Sequence, residues 1–154
     1  DVKHDGWFKA RLVADGNLTN LPVESVYSGV VSLKILRICI FLAELNDLEL
    51  WGCDVGNAYL ESYTQEKNYI VTGPEFGDKA GRVFIIIKAL YGLRSSGKCY
   101  HEKFSETLSE TGFFPSKADP DVWMRAIGTS YEYIAVYVDD LCLALKDPAE
   151  FVGS

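Results

Sequence analysis

The sequence predicts an α+β fold in which an antiparallel sheet carries two helices on one face. Three observations predict it. Apolar runs of strand length recur along the chain, two longer segments repeat apolar residues at helical spacing, and the last two strand-like runs are separated by only two residues. The 154 residues contain no internal repeat or low-complexity linker and suffice for one core, so a single domain is expected.

The predicted elements follow the order strand, helix, strand, small hairpin, helix, strand and hairpin. The strand segments are rich in aromatic, aliphatic and β-branched residues, and they lie at 7–14, 49–55, 68–71, 83–88, 121–125, 131–138 and 141–145. The helices are predicted at 26–46 and 95–111, with a short turn or helix at 56–60. Aromatic and aliphatic side chains at four-residue steps define the second helix, and Gly112 is its stop signal.

Composition and charge bound the class of protein. Hydrophobic residues make up 48% of the chain and aromatic residues 13%, which is typical of a globular protein. The net charge of −7 argues against a self-sufficient nucleic-acid-binding protein, because such a protein usually carries a basic face. One module of a larger protein with its basic surface elsewhere is still compatible with this charge.

The cysteines and histidines show no metal or disulfide framework. The four cysteines fall singly within apolar runs, which favours reduced thiols in an intracellular protein, and His4 and His101 are isolated. No secretory signal opens the chain, and the most apolar stretch, 35–45, is too short to span a membrane. The chain begins without Met and stops just after the last strand, so we expect an excerpt of a longer polypeptide.

Two adjacent aspartates, Asp139 and Asp140, separate the last two apolar runs and are predicted to form the loop of a tight hairpin. Such loops normally contain Asn-Gly or Asp-Gly, and two like charges about 4 Å apart repel by roughly 4 kcal/mol at a near-surface dielectric of about 20. A third acid, Asp54, ends an earlier buried strand. A simple solvated turn is the alternative, but the apolar flanks favour a site for a divalent cation such as Mg²⁺.

Four motifs carry a resemblance to a known family. Residues 54–60 (DVGNAYL), 90–94 (LYGLR), 117–120 (KADP) and 137–140 (YVDD) resemble, in this order, the motifs of reverse transcriptases, and most of all those of Ty1/copia-type retrotransposon Pol polyproteins. The opening KARLVA at 9–14 resembles the fingers strand that precedes them. The resemblance runs from about Lys9 to about Leu145.

The resemblance implies a polymerase palm with partial fingers and no thumb. The fingers pieces would lie at about 1–24 and 61–94, and the palm pieces at 25–60 and 95–154. The implied activity is that of an RNA-directed DNA polymerase, with an RNA or DNA template, a primer and a dNTP as its partners. The thumb, connection and RNase H domains would belong to the parent chain, and cytoplasmic particles would be its location. The isolated fragment is expected to be weak or inactive.

The implied metal site takes two Mg²⁺ ions, with Mn²⁺ as a substitute. Asp54 and Asp139 would be the principal catalytic ligands and Asp140 the third, weaker acid. The backbone carbonyl of Val55 would complete the shell of the second ion.

The implied dNTP site has a backbone part and a side-chain part. The N–H groups of Asn57 and Ala58 would face phosphate oxygens, with Gly56 permitting close approach. Tyr59 would exclude a ribose 2′-hydroxyl, and its alternative interpretation is a core aromatic residue. The residues that would border the nucleotide or its triphosphate are Val55, Gly92, Arg94, Lys9 and Arg11, of which the last two are equally compatible with ordinary surface cations.

Two other functions are compatible with the pattern. One is a catalytically silent retrotransposon relic that keeps the fold, against which the persistence of all three acids argues. The other is an acidic metal-binding or interaction module, which would need the Asp-x-Asp-x-Asp-Gly ladder of calcium loops, and this ladder is absent from the sequence.

Overall fold

In the computed structural model, the residues that the structure describes are Gly6, 11–16, Thr19 and 29–153. The chain divides into two compact units. The sheet unit comprises residues 27–58 and 101–154, and the ribbon unit comprises residues 1–26 and 59–100. The assignment of fingers and palm to particular segments stays a prediction.

The sheet unit contains a five-stranded antiparallel sheet, which confirms the α+β class and the antiparallel pairing. Its strands follow the order β1-β7-β6-β5-β4, and their bounds are β1 Glu49–Asp54, β4 Phe114–Pro115, β5 Val122–Ile127, β6 Ser130–Tyr137 and β7 Asp140–Leu145. The helices are α1 Leu33–Leu45, α2 Ser96–Glu110 and α3 Pro148–Gly153. The short β4 and α3 lack a periodic apolar pattern and were not expected from the sequence.

Both faces of this sheet are covered, so the prediction of two helices on one face is wrong. Ile134 of β6 belongs to a core cluster with Leu108 of α2, whereas its neighbour Ala135 belongs to a second cluster with Cys39 and Ala43 of α1. Successive strand residues point to opposite faces, so α1 and α2 lie on opposite sides. The physical reason is the continuous apolar run at 133–136 of β6, which is buried on both faces of the sheet.

Helix α1 begins at Leu33, seven residues later than predicted. Val31 instead donates its N–H to the carbonyl of Val136 at 3.0 Å, which ties the segment before the helix to β6. Ser32 is the N-cap, and its side-chain oxygen accepts a hydrogen bond from the N–H of Ile35 at 3.3 Å. At the other end, Asn46 caps the helix through its side-chain amide, which donates to the Leu42 carbonyl at 2.7 Å.

A buried ion pair joins the strands at the end of the sheet remote from the β6–β7 turn. Arg125 of β5 lies opposite Glu132 of β6, and its Nε and Nη2 donate to Glu132 Oε2 at 2.9 and 2.8 Å. The second oxygen, Oε1, accepts from the backbone N–H of Lys146 at 2.8 Å. Because the Glu132 side chain is only 3% exposed, its charge depends on these donors.

The ribbon unit is built around a two-stranded antiparallel hairpin, β2 Tyr63–Val71 and β3 Val83–Lys88. This confirms the predicted small hairpin, with a longer first strand than expected. Of the first predicted strand, 7–14, residues 7–10 lie outside the described residues, and 11–14 do not form a strand. Ala14 instead donates its N–H to the Tyr91 carbonyl at 2.7 Å, which attaches this segment to the LYGLR motif. No helix in the described ranges is long and apolar enough to cross a membrane.

Candidate active site at the tip of the β6–β7 hairpin

The hairpin turn is shifted by one residue from the prediction. Tyr137 pairs with Asp140, so the two-residue loop is Val138–Asp139 and Asp140 is the first residue of β7. Val138 has φ of 57°, a left-handed conformation that costs a β-branched residue about 1–2 kcal/mol. The predicted loop, Asp139–Asp140, is therefore wrong, because the ladder pairing of Asp140 takes it into the strand and moves the strained position to Val138.

Asp54 lies beside this turn although 85 residues separate it from Asp139 in sequence. It is the last residue of β1 and pairs directly with Asp140 in the antiparallel ladder. Side chains of a directly opposed pair share one face of a sheet, with Cβ atoms about 4.5–5.5 Å apart. The next residue, Val55, donates its backbone N–H to the carbonyl of Asp139 at 2.8 Å. The ladder thus brings the backbones of all three acids to one edge.

The electrostatics of this edge are unfavourable without a counter-charge. Asp54 and Asp140 are exposed, Asp139 is half-buried, and among the described residues none of the three forms a salt bridge. Like charges directly opposed across a ladder destabilise the pair. Within the same described ranges, no group of three His, Cys, Asp or Glu side chains is arranged to hold a metal ion. The hard carboxylate oxygens suit Mg²⁺ in kind, and their roles as ligands stay predictions.

Two thiols lie in the sheet unit near this edge, Cys142 on β7 and Cys39 on α1, and burial favours the neutral form of both. Cys142 lies two residues after Asp140 and lines, with Val31, Leu36 and Tyr137, a largely apolar cavity of about 330 Å³. Burial raises the pKa of the Cys142 thiol, and burial raises that of Cys39 to about 11. Metal ligation and nucleophilic attack both require the thiolate, so the raised pKa values disfavour both roles for these thiols.

The predicted phosphate-facing segment follows β1 directly. Asn57 has φ of 56°, which this residue tolerates, and Ala58 is buried at the start of a 3₁₀ turn, Ala58–Glu61. Gly56 is exposed, and a Cβ built there would meet no atom of the described residues within 4 Å. Packing among the described residues therefore does not explain a glycine at position 56. Close approach of a ligand to the backbone is the predicted reason for it.

The other predicted nucleotide-binding residues belong to the ribbon unit. Tyr59 packs its ring against Tyr91, with centroids 4.8 Å apart, and Arg11 lies over the Tyr91 ring at 4.2 Å. Arg94 donates from Nε to the Gly16 carbonyl at 2.8 Å.

Gly92 and Lys9 are the other predicted nucleotide-binding positions in the ribbon unit. Gly92 has φ of 90° and approaches the backbone of Ala14 too closely for any side chain. Lys9 lies outside the described residues. Sequence reasoning did not single out Tyr91, although its place inside the LYGLR motif was an available signal.

Comparison with known proteins gives the family. The sequence profile described as "Reverse transcriptase (RNA-dependent DNA polymerase)" matches residues 1–153. The chain is 30% identical over 145 residues to the Retrovirus-related Pol polyprotein from transposon RE1 of Arabidopsis thaliana, covering 92% of this chain and 10% of that protein. It is 28% identical over 146 residues to the Pol polyprotein from transposon TNT 1-94 of Nicotiana tabacum, covering 91% and 11%.

A yeast relative agrees with the plant ones. The Transposon Ty1-NL2 Gag-Pol polyprotein of Saccharomyces cerevisiae is 31% identical over 149 residues, covering 94% of this chain and 8% of that protein. The chain thus spans about a tenth of the length of these relatives. No solved structure matches. The profile match and the Pol polyproteins of Ty1/copia-type transposons together show that the chain belongs to the reverse transcriptase (RNA-dependent DNA polymerase) family.

Proposed function

We propose that the chain is the catalytic core of an RNA-directed DNA polymerase, which transfers a nucleotide from a dNTP to a primer 3′-hydroxyl. The observation that carries this proposal is the direct ladder pairing of Asp54 with Asp140 beside the turn that contains Asp139. Two like charges directly opposed at the end of a strand pair are costly for a structural turn. Their carboxylate oxygens are of the kind that a hard divalent cation prefers, and such a cation would relieve the repulsion.

Within this proposal, Asp54 and Asp139 are the principal ligands of two Mg²⁺ ions and Asp140 is the weaker third acid. When bound, the ions supply Lewis acidity to the primer hydroxyl and neutralise charge on the triphosphate. Val55 is suited to contribute its backbone carbonyl, since its N–H is already engaged by Asp139. Mn²⁺ would substitute, because it accepts the same oxygen ligands.

Residues that follow β1 are assigned to the triphosphate, and residues of the ribbon unit are assigned separately to the sugar, the base and the phosphates. The N–H groups of Asn57 and Ala58 face the triphosphate, and Tyr59 excludes a 2′-hydroxyl by steric clash. Gly92 and Arg94 border the nucleotide and the template base. Arg11 and Lys9 supply positive charge for the phosphates, which the net charge of −7 otherwise disfavours.

The remaining parts of the enzyme are proposed to lie elsewhere in a Pol polyprotein. The relatives named above are such polyproteins, and the chain spans about a tenth of their length. We propose that the fingers pieces lie at about 1–24 and 61–94 and the palm pieces at 25–60 and 95–154, with thumb, connection and RNase H supplied by the parent chain in cytoplasmic particles. Primer extension by residues 1–154 alone is expected to be weak, because the thumb surface that holds the primer would be supplied by the parent chain.

The direct test is nucleotide incorporation by the parent polyprotein on a poly(A)/oligo(dT) primer-template. Mg²⁺-dependent incorporation is expected, and Asp139→Asn is expected to reduce it by at least about a hundredfold, as loss of a metal-positioning carboxylate does. Glu106→Gln is the matched control and should retain activity, because Glu106 is an exposed acid that pairs with Lys103 on the surface of α2. Equal incorporation by Asp139→Asn and the parent would refute the proposal, and a folded but inactive parent would favour a silent relic.

A second test reads metal binding without catalysis. At a Mg²⁺ concentration about ten times its dissociation constant, binding stabilises the folded state by about 1.4 kcal/mol, which thermal unfolding detects. Asp54→Asn should unfold at the same or a higher temperature than the parent in EDTA, since it relieves the repulsion with Asp140, and should lose the Mg²⁺ response. Stabilisation by Ca²⁺ alone, without any effect of dNTP, would favour the acidic interaction module instead.

A further inference from the structure

We propose that Tyr91 is a positioning residue that sets both nucleotide affinity and sugar discrimination, because it holds Arg11 and Tyr59 at the same time. The inference rests on the proposed function, which assigns Arg11 to the triphosphate and Tyr59 to exclusion of the 2′-hydroxyl. Tyr91 acts through the two side chains that its ring contacts.

The contacts form one continuous aromatic cluster in the ribbon unit. The guanidinium carbon of Arg11 lies 4.2 Å from the centroid of the Tyr91 ring. The Tyr91 ring packs on Tyr59 at 4.8 Å with an interplanar angle of 46°. Tyr59 in turn meets the edge of Tyr100 at 5.9 Å and 66°, and Tyr100 is only 4% exposed. The cluster therefore runs from an exposed cation to a buried ring.

The backbone fixes where the Tyr91 ring can be. Its carbonyl accepts the N–H of Ala14 at 2.7 Å, and Gly92 is pressed against the same residue, so that only glycine fits there. Arg94 Nε closes the other end of the segment on the Gly16 carbonyl at 2.8 Å. The segment that carries Arg11 is thus bound along the segment that carries Tyr91, and their relative position does not depend on the side chains alone.

Two consequences follow for binding. An arginine held over an aromatic face keeps its charge but has already lost much of its side-chain freedom, so it loses less entropy when a triphosphate arrives. Tyr59 is confined by the rings of Tyr91 and Tyr100, so its side chain has little freedom to move. Steric exclusion of a 2′-hydroxyl requires a side chain that cannot move aside. Removing the Tyr91 ring releases both Arg11 and Tyr59, so nucleotide affinity and sugar selectivity should fall together.

The test uses single-nucleotide incorporation by the parent polyprotein with dTTP and with UTP. Tyr91→Leu should raise KM for dTTP about fivefold to tenfold with kcat within about threefold, the pattern expected for loss of uniform binding. The preference for dTTP over UTP should fall about tenfold, the factor that 1.4 kcal/mol represents. Tyr91→Phe should restore both values, since it keeps the ring that contacts Arg11 and Tyr59.

The chain offers a matched control. Tyr63 lies under Lys88 at 4.2 Å, a cation–π pair of the same kind in the same unit but outside the cluster. Tyr63→Leu should leave KM and the dTTP preference at the parent values. If Tyr91→Leu fails to fold, Tyr91→Met keeps most of the side-chain volume without the ring and carries the same expectation.

The outcomes separate this inference from the function on which it rests. A parent polyprotein that incorporates no nucleotide overturns the proposed function. An active parent whose Tyr91→Leu and Tyr91→Met variants lose only melting temperature, with KM and the dTTP preference intact, shows that Tyr91 merely packs, and overturns the inference alone.

Discussion

Arg125→Met should be among the most destabilising single changes in the sheet unit. It removes the two hydrogen bonds, of 2.9 and 2.8 Å, that reach Glu132 Oε2, and leaves a carboxylate that is 3% exposed with one backbone donor. Stranding a buried charge costs about 3–5 kcal/mol. Because the Arg125 side chain is itself 35% exposed and water can replace it in part, we expect about 3 kcal/mol, the lower end of that range.

Urea unfolding of the variant, followed by circular dichroism, measures this loss. A second change distinguishes a stranded charge from a mere loss of packing. Glu132→Gln in the Arg125→Met background removes the charge while keeping an acceptor for the Lys146 N–H, so it should recover at least about half of the lost free energy of unfolding.

Lys103→Met supplies the matched control. Lys103 Nζ and Glu106 Oε2 are 3.7 Å apart, with both side chains more than half exposed. Such a pair contributes at most about 0.5 kcal/mol. A cost below about 1 kcal/mol for Arg125→Met, or no recovery in the double variant, would refute the conclusion that Glu132 depends on its arginine.

Three further changes test other parts of the structure. In urea titrations, Val138→Gly should change the free energy of unfolding by no more than about 1 kcal/mol, because relief of the positive φ offsets the lost side chain. The same change at the buried Val136 should lower the free energy of unfolding by more than about 3 kcal/mol. Burial raises the pKa of the Cys39 thiol to about 11, above its value in the unfolded chain. The free energy of unfolding should therefore be highest below about pH 9 and should fall as the pH rises towards 11. Denaturant titrations across this range should show the parent losing about 2 kcal/mol more than Cys39→Ala, and equal losses would contradict the assignment. Ser32→Ala should cost about 1 kcal/mol and Ser32→Asp little, and an equal effect of both on the melting temperature would exclude a capping role.

Much of this fold could be predicted from local pattern. β1 and the two strands of the last hairpin were predicted because their apolar runs are of strand length and end at acids or turns. The side of the sheet on which each helix lies could not be predicted, since the unbroken apolar run at 133–137 of β6 fits burial on either face. The turn was misplaced by one residue because its position depends on ladder hydrogen bonds to β7, and turn propensity favours Asp over Val at a loop position.

The candidate site, like the fold, could be predicted from the sequence only in part. The residue types and their order predicted an acidic centre, but only the long-range pairing of β1 with β7 brings Asp54 opposite Asp140. Tyr91 was missed for a related reason. Its importance comes from ring contacts with Arg11 and Tyr59, and those residues are remote from it in sequence.

The pairing of Asp54 with Asp140 has an evolutionary consequence. Because the spacing between these two carboxylates is inherited from the interstrand distance, loops elsewhere can drift in length without disturbing it. A deletion or insertion of one residue inside β1 is different, since it would turn position 54 to the opposite side of the sheet and replace the acid with an apolar neighbour. Lineages of this element should therefore accumulate indels in their connecting segments while the length of β1 stays invariant.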